Sequence, residues 1–475
     1  MTTQPKKATT RRKTAALKNE DPPVYLLSME VEDLLCFKER QTLNLSNKDG
    51  HPAQWTVILG NNGVGKTTLL RCLAGMEMRL EMYEYPIVVD GVEKSEEVKE
   101  FQPMLWNFYD FEEIWEEIGI ATHTGETIPA ISVSFASNIT LNSFKTGKNL
   151  DIQKDYVSIV IESELEKSSN ELKGAIFYGY GATRKIGSTS LSDSNTSYHS
   201  ASLFSDDVSL INAEEWLLQT DYAVKSSTGK TRTRLRKELK QIIEILKQIL
   251  PDVKDIRIDL DEYHERPVAQ FLTPFGWVRL SSLGLGYRTT IAWMVDLAVR
   301  LFKRYPDSED PLAEPAIVLV DEIDLHMHPK WQRDIMQFLT NRFPNTQFIV
   351  TAHSPLVVQA AQDANIVLLR REGDQVKIIN NNDLEIIENW RVDQVLTSVF
   401  EMPSARSAKI EPLLQRRKEL LTKPKLTASD RAELKELEAK IGTLPTAETS
   451  EDIKAMDIIR RAAKLLDEPV TEAVE

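Results

Sequence analysis

The segment from Gly60 to Thr67 reads GNNGVGKT and matches the pattern GxxxxGK[ST]. A strand-like run, WTVIL, precedes it and an apolar-periodic stretch follows it, as a phosphate-binding loop requires. Glycines let several backbone N–H groups face one point, and the start of a helix adds partial positive charge. We therefore predict a nucleoside-triphosphate site, in which Lys66 neutralises the β- and γ-phosphates and Thr67 binds Mg²⁺. The predicted nucleotide-binding residues of this loop are Gly60, Asn61, Asn62, Gly63, Val64, Gly65, Lys66, Thr67 and Thr68.

Two carboxylates, Asp321 and Glu322, directly follow the unbroken apolar run Ile317–Val320. Such a run is typical of a buried strand in a parallel sheet. A carboxylate at the carboxyl end of that strand lies beside the phosphate loop. We predict that Asp321 holds Mg²⁺ through water, together with Thr67, and that Glu322 accepts a proton from the attacking water.

His353 lies in the sequence FIVTAHSP, one predicted helix and one predicted strand after Glu322. This order of elements puts His353 at the mouth of the next parallel strand, facing the γ-phosphate, and makes it a predicted catalytic residue with Glu322. The segment Leu280–Tyr287, LSSLGLGY, stands just before another predicted helix. A Ser/Gly turn at a helix N-terminus forms a second anion-binding edge.

These four segments, in this order, resemble the ATP-binding-cassette (ABC) type of ATPase, in particular the heads of RecF-, SMC- and OLD-like proteins. The stretches DEIDLHMHPKWQ, FPNTQFIVTAHSP and YGYGATRK are similar to the AAA-type ATPase subunit of Septu and retron-associated anti-phage systems. The resemblance covers residues 24–370. It implies an α/β fold like the head of an ABC ATPase, with a P-loop core, an inserted mixed or helical lid region and a helical C-terminal tail.

The resemblance also implies a function, namely Mg²⁺-dependent binding and slow hydrolysis of ATP by the sensor or regulatory subunit of an anti-phage complex. Its partners are then a second copy of the chain, in an ATP-sandwich dimer or higher homo-oligomer, and a separate effector nuclease of HNH type. DNA is a further candidate partner. The alternative is a RecF-like DNA-repair ATPase that acts on DNA directly.

One motif departs from the family. The signature pattern is Leu-Ser-x-Gly-Tyr, and Gly284 stands where the serine is expected. In this class the signature of one subunit contacts the γ-phosphate that the other subunit holds. The resemblance therefore makes Gly284 and Gly286 predicted nucleotide contacts and predicts a weakened contact, unless Ser281 or Ser282 substitutes for the missing hydroxyl. Gln102 is one candidate for the Q-loop glutamine of the family.

Two further clusters have two interpretations each. Asp324, His326 and His328 alternate along the chain and could bind a metal, but in the resembling family this stretch is the D-loop, where subunits touch. The structural or interface interpretation is favoured. Arg184 and Lys185 follow a glycine-rich turn and either bind phosphate or belong to a surface loop.

Composition limits the remaining classes. The net charge is −14 and the pI is near 5.2, so contact with nucleic acid requires a local basic patch. Two cysteines and seven histidines, without a CxxC pair or an HExxH motif, exclude a disulfide framework and disfavour structural zinc. No apolar run approaches the length of about 18 residues that a membrane span needs, and no secretory signal is recognisable. We expect a cytoplasmic protein without membrane contact.

The chain divides by pattern into five predicted regions. A disordered basic arm (1–23) precedes an ATPase lobe with the phosphate loop (24–82), whose leucines and methionines predict a helix over 67–82. An inserted β and helical region (83–255), a second ATPase lobe (256–382) and a helical docking region (383–475) follow. The insert carries a basic helix that is either a lid or arm contacting DNA or a partner, or a solvated face. Its basic residues are Arg232, Arg234, Arg236, Lys237 and Lys240.

A self-contained OLD-like nuclease is disfavoured. Its Toprim module needs a glutamate followed by a DxD pair, and residues 374–475 contain no DxD although Glu372 offers the glutamate. The DxD at Asp259 and Asp261 precedes the signature segment, on a predicted edge strand. The charged C-terminal segments EPLLQRRKELLTKP and TASDRAELKELEAKI instead predict a helical hairpin.

Overall fold

The computed structural model divides the chain into two units, Met1–Val395 and Leu396–Glu475. It describes residues 23–75, 78–89, 92–103, 130–135, 140–143, 175–187, 199–250, 252–261, 266–361, 363–380, 392, 395–396, 400, 411–421, 423 and 427–441. Between 78 and 143 only the backbone is described. The predicted basic arm lies outside the described residues, apart from Pro23.

A six-stranded sheet forms the centre of the described part of the first unit. Its strands, in spatial order, are β15 (Gln375–Ile379), β14 (Asn365–Glu372), β3 (Trp55–Gly60), β13 (Thr346–Ala352), β12 (Ala316–Val320) and β8 (Phe177–Tyr180). All neighbouring pairs are parallel except β14 with β15. Every residue of β3, β13, β12 and β8 is buried, which explains why their sequences are mostly apolar. The predicted α/β class with a P-loop core is confirmed.

The order of these strands brings four chain segments to one edge of the sheet. Leu59 in β3 pairs with Ala352 in β13, and Val320 in β12 pairs with Val350 in β13 and with Tyr180 in β8. The carboxyl ends of β3, β13, β12 and β8 therefore lie side by side. The loops that follow them start at the same edge of the sheet, which is where α/β proteins bind their ligands.

The described helices of the first unit are α1 (Lys66–Ala74), α2 (Ala201–Phe204), α3 (Ala213–Ser226), α4 (Gly229–Ile249), α5 (Leu285–Arg304), α6 (Pro329–Arg342) and α7 (Pro355–Ala360). None of the helices that the structure describes is both long enough and apolar enough to cross a membrane. The basic helix predicted in the insert is confirmed as α4, the helix predicted after the signature segment as α5, and the helix predicted between Glu322 and His353 as α6. The helix α5 begins at Leu285, so the last residues of the segment Leu280–Tyr287, which was predicted to precede the helix, already form its first turn.

The prediction of a single helix over 67–82 is wrong. The helix α1 ends at Ala74, and the chain then enters a hairpin of β4 (Met78–Val89) and β5 (Val92–Pro103). The sequence MRLEMYE alternates apolar and polar residues, so it fits the period of a strand as well as that of a helix. The antiparallel pairing with β5 stabilises the strand conformation.

Two further antiparallel sheets accompany the central one. One has the order β2 (Gln41–Asn44), β1 (Leu26–Glu32), β6 (Ala130–Phe135), β7 (Thr140–Ser143), and the other the order β11 (Gly276–Arg279), β10 (Pro267–Thr273), β9 (Asp255–Leu260). One cluster of buried side chains joins β1, α1 and the central sheet, through Met29, Leu69 and Ile349 among others. This core fixes α1, and with it the phosphate loop, against the sheet.

The helix α5 is buried continuously from Thr289 to Phe302, so it lies inside the unit rather than on its surface. A polar network at its middle holds it there. Asp296, which is fully buried, accepts hydrogen bonds from Arg300 Nε (2.6 Å), the Tyr180 hydroxyl (2.9 Å) and the Ile211 backbone N–H (3.1 Å). The network ties α5 to β8 and to the segment before α3.

The second unit contains α8 (Glu411–Leu421) and α9 (Ala428–Ile441). The Arg416 guanidinium donates to both carboxylate oxygens of Glu433, at 2.7 and 3.0 Å. Lys423 Nζ donates to Asp430 Oδ1 at 2.6 Å, and Asp430 also accepts from the Thr427 backbone N–H at the start of α9. The predicted helical hairpin is confirmed.

Asp296→Ala is expected to destabilise the first unit strongly. The substitution leaves the Arg300 charge buried without its partner, and loss of one member of a buried ion pair costs about 3–5 kcal/mol of unfolding free energy. Urea unfolding followed by tryptophan fluorescence measures it. Lys225→Ala is the control, because it removes an exposed pair with Asp221 that is worth about 0.5 kcal/mol or less. Equal losses in the two variants would contradict the prediction.

Candidate functional site

The phosphate loop joins the end of β3 to the start of α1. Asn61, Asn62 and Gly63 form its exposed tip, whereas Val64 is buried. Gly65 is the N-cap of α1 and has φ 87°, in the left-handed region that favours glycine. A Cβ at Gly65 would lie only 2.8 Å from the Cys36 sulfur. The loop therefore packs too closely on its neighbours to admit a side chain at this position.

Lys66 spans the inside of the loop. Its Nζ donates to the carbonyl oxygens of Gly60 (2.9 Å) and Asn61 (2.8 Å). Burial lowers the pKa of Lys66 to about 8, and the nearby carboxylates of Asp321 and Glu322 oppose that shift. The side chain is thus a buried cation at neutral pH, at the centre of a loop of backbone amides.

The Asp321 carboxylate accepts hydrogen bonds from two hydroxyl groups. Its Oδ2 accepts from Thr67 Oγ1 at 2.7 Å, and its Oδ1 accepts from Thr351 Oγ1 at 2.6 Å. Only 5% of Asp321 is exposed, so these two bonds determine where its carboxylate lies. The residues predicted to bind the metal, Thr67 and Asp321, are therefore in direct contact.

This oxygen set fits Mg²⁺. Mg²⁺ prefers oxygen ligands and is commonly held by one or two carboxylates together with substrate phosphates. The Thr67 hydroxyl and the Asp321 carboxylate supply such oxygens at the mouth of the phosphate loop. Within the described ranges no group of three or more His, Cys, Asp or Glu side chains could hold a metal ion. A site completed by phosphate oxygens agrees with both facts.

Glu322 and His353 face each other beside this pair. His353 Nε2 lies 3.8 Å from Glu322 Oε1, and about a third of each side chain is exposed. The backbone N–H of His353 donates to Asp324 Oδ2 at 3.1 Å. Burial, and then the positive charge of Lys66, lower the pKa of His353, with the nearby carboxylates opposing. His353 is therefore a neutral imidazole at neutral pH, next to a carboxylate that water can reach.

Arg184 has partners other than the phosphate that one interpretation of the sequence assigned to it. The residue is 2% exposed, and its Nη2 donates to the backbone carbonyls of Asp321 and Glu322. Burial lowers the pKa of Arg184 to about 10, so the group stays charged at neutral pH. The neighbouring Lys185 is half exposed, and its Nζ lies 3.9 Å from Asp207 Oδ1.

The signature segment meets the turn after Glu322. Gly284 is the exposed N-cap of α5, whereas Gly286 lies against the backbone of His326. A Cβ on Gly286 would lie 2.1 Å from the His326 carbonyl oxygen. Gly286 thus has a packing reason for being glycine, in addition to its predicted nucleotide contact. His328 caps α6 by accepting from the Lys330 N–H at 3.3 Å, which is a structural use of this histidine.

Sequence reasoning missed two residues of the site. The Thr351 hydroxyl donates a hydrogen bond to Asp321 Oδ1 and accepts one from the Glu322 backbone N–H at 2.7 Å. Gln332 donates to the carbonyls of Asp324 (3.2 Å) and Met327 (3.1 Å) and so holds the turn after Glu322. A threonine in the otherwise apolar end of β13 was the available signal for Thr351.

The predicted Q-loop glutamine has only a backbone position. Gln102 lies in β5, and its side chain is outside the described residues. Its assignment therefore stays a prediction from the resemblance.

Gly286→Ala is expected to lower the free energy of unfolding by about 1–3 kcal/mol, because a methyl group overlaps a backbone oxygen that cannot swing aside. Thermal and urea unfolding measure the change. Gly284→Ala is the matched control in the same segment, since its Cβ would meet only the Tyr287 ring at 3.9 Å. A Gly286→Ala variant as stable as the Gly284→Ala variant would show that the contact is not tight.

Comparison with known proteins places the chain among relatives of the expected kind. A family model described as "AAA domain, putative AbiEii toxin, Type IV TA system" matches residues 55–359. The "Retron Vc95 probable ATPase" of Vibrio cholerae serotype O1 biovar El Tor is 29% identical over 214 residues, 45% of this chain and 41% of that protein. The "Septu protein PtuA" of Bacillus mycoides (strain KBAB4) is 26% identical over 392 residues, 82% of this chain and 46% of that protein.

The chain spans less than half the length of these curated relatives. Among solved structures, the SMC head domain from Thermotoga maritima is similar with a TM-score of 0.34 and 12% identity, over 76% of this chain and 100% of that chain. The predicted resemblance to Septu and retron ATPases is confirmed. The matched range 55–359 contains the phosphate loop, the Asp321–Glu322 pair and His353, and it covers more than half of the chain. The chain belongs to the AAA-domain family described as putative AbiEii toxin, Type IV TA system.

Proposed function

We propose that the chain is a Mg²⁺-dependent ATPase that acts as the sensor or regulatory subunit of an anti-phage defence complex. The observation that carries the ATPase proposal is the meeting of Thr67, Asp321, Glu322 and His353 at adjacent strand ends, beside the buried Lys66. The names of the relatives, one a retron probable ATPase and one a Septu protein, support the defence role.

Each side chain has a distinct role in this proposal. The loop N–H groups and Lys66 bind and neutralise the phosphates. Thr67 and Asp321 would hold Mg²⁺, which supplies neutralisation of the developing phosphate charge. Glu322 accepts the proton of the attacking water, and the neutral His353 imidazole contacts the γ-phosphate.

We place a second copy of the chain over the nucleotide. The N-terminus of α5 supports this placement, because Ser281, Ser282 and Gly284 are exposed and Leu285 is 48% exposed. In the ATPases that the chain resembles, this edge contacts the nucleotide of the other subunit. With Gly284 in place of serine, we expect slow hydrolysis that rises with protein concentration.

The effector in this proposal is a separate nuclease of HNH type, docked on region 383–475, while region 83–255 is the insert. The acidic pair that could suggest an internal nuclease is otherwise engaged. Asp259 Oδ2 lies 3.3 Å from Arg257 Nη2, and Asp261 forms an ion pair with Arg279. Free thiols at Cys36 and Cys72 support a reducing, cytoplasmic location.

Glu322→Gln is expected to bind ATP as the wild type does but to lose hydrolysis by about 100-fold or more, because the proton acceptor is removed while the phosphate contacts remain. Binding is measured with a fluorescent ATP analogue and hydrolysis by phosphate release. Light scattering should show an ATP-dependent increase in mass that persists in this variant, since the nucleotide is not consumed.

Lys66→Ala is the control for that experiment and should lose ATP binding, because it removes the buried cation of the loop. Unchanged affinity in Lys66→Ala would refute the phosphate-loop assignment. An unchanged mass of Glu322→Gln with ATP would argue against the sandwich.

The purified chain alone is expected not to cut DNA in the presence of ATP and Mg²⁺ or Mn²⁺. Phosphodiester hydrolysis needs clustered metal-binding carboxylates or an activated histidine, and those recognisable here are assigned to the ATP site. Plasmid incubation followed by electrophoresis tests this. Cleavage that disappears in an Asp259→Ala, Asp261→Ala double variant would replace the regulatory proposal with a self-contained nuclease.

A further inference from the structure

We infer that Arg184 is a positioning residue for ATP hydrolysis, whose buried guanidinium holds the backbone of Asp321 and Glu322 so that the Glu322 carboxylate stays beside His353. The inference rests on the proposed function, because it assigns Arg184 a part in the same reaction. The Arg184 guanidinium donates to the backbone carbonyls of Asp321 and Glu322 and not to the Glu322 carboxylate.

The contacts of Arg184 are unusual for a charged side chain. Its Nη2 donates to two successive backbone carbonyls, those of Asp321 and Glu322. On the other side, the Glu322 N–H donates to Thr351 Oγ1 at 2.7 Å. The peptide groups on both sides of the Glu322 Cα are therefore held by side chains from neighbouring strand ends.

Glu322 needs this support. Its φ is 47°, in the left-handed region that residues other than glycine rarely adopt. Without bonds on both sides the backbone can relax toward an ordinary conformation, which redirects the carboxylate. Since His353 Nε2 lies 3.8 Å from Glu322 Oε1, the direction of this carboxylate decides whether both can contact one water molecule.

Arg184 combines several unfavourable features that point to a functional role. Its own φ is 37°, its charge is buried, and its Nε has no hydrogen-bond partner among the described residues. Buried unpaired donors and left-handed backbone are uncommon and concentrate at functional sites. Here they occur in a residue bonded to the backbone of the two acidic residues.

The segment that carries Arg184 is itself fixed. A Cβ on Gly181 would lie 2.1 Å from the Ser202 carbonyl oxygen, so the two backbones are in close contact. The Leu210 N–H donates to the Lys185 carbonyl at 2.9 Å. Arg184 thus projects from an anchored segment and can hold Glu322 in place.

The expected effect is specific to turnover. In the proposed function the loop N–H groups and Lys66 bind the phosphates without help from Arg184, so the affinity for ATP should remain within about twofold of wild type in Arg184→Met. A misplacement of about 1 Å in a reacting group can lower the rate about 100-fold. We therefore expect kcat to fall by about that factor and KM to change little.

The experiment compares three variants of the full chain. Arg184→Met keeps most of the side-chain length without a donor. Arg184→Lys keeps a charged donor with shorter reach and should rescue in part, with kcat about tenfold below wild type. Lys185→Met is the matched control, because it removes the adjacent, half-exposed cation and should leave kcat unchanged. Phosphate release, titration of a fluorescent ATP analogue and thermal unfolding are measured for each.

A second comparison asks whether Arg184 acts through Glu322. In a Glu322→Gln background, Arg184→Met should lower the residual rate no further, because the carboxylate that it positions is already gone. A further loss of about 100-fold in that background would overturn the inference, since the two effects would then be independent. So would a kcat of Arg184→Met equal to that of Lys185→Met, or a loss of ATP affinity as large as the loss of kcat.

If Arg184→Met does not fold, Arg184→Lys decides, since kcat equal to that of Lys185→Met in a folded Arg184→Lys variant would overturn the inference. A wild-type chain that binds ATP but shows no hydrolysis under any condition would refute the proposed function instead. The two failures are therefore distinguishable.

Discussion

The carboxylate of Asp321 is the point on which the site depends. It accepts a hydrogen bond from the Thr67 hydroxyl, which is 254 positions away in the chain, and another from the Thr351 hydroxyl on the neighbouring strand. The backbone N–H of the same residue donates to the Tyr180 carbonyl, and its own carbonyl accepts from Arg184. Four elements, α1, β13, β8 and β12, thus meet at one buried residue. The long separation is tolerable because the entropy of closing a loop grows only slowly with its length.

Local patterns were sufficient to predict part of this arrangement. The glycine-rich loop, the apolar run before Asp321 and the strand before His353 are each recognisable within a few residues. Since the carboxyl ends of parallel strands lie side by side, these segments are then expected to form one site. Arg184 and Thr351 could not be assigned in the same way. Their partners depend on β8 and β13 lying next to β12, and that neighbourhood is a property of the sheet rather than of any short sequence. The predicted helix was longer than α1 because the sequence from Met78 onward fits the period of a strand as well as that of a helix.

The packing of Gly286 on His326 connects the helix α5 with the acidic turn. From His326 the chain leads back to Asp324, whose carboxylate accepts from the backbone of His353. Gln332 fixes the same turn from α6. Close-packed interiors transmit strain rather than absorb it. A displacement of the first turn of α5 is therefore expected to shift the residues beside Glu322.

Under the proposed function, the two carbonyl bonds of Lys66 have a consequence for the lifetime of bound ATP. Lys66 Nζ donates to the carbonyls of Gly60 and Asn61, and the phosphate oxygens of ATP would compete with them for the same ammonium hydrogens. Binding then exchanges hydrogen bonds rather than adding them, so the net gain in free energy is smaller than the number of new contacts suggests. On departure of the ligand, the cation can return to the loop's own oxygens instead of remaining unpaired. In the proposed ATPase, such a loop would favour turnover of bound ATP over its permanent retention.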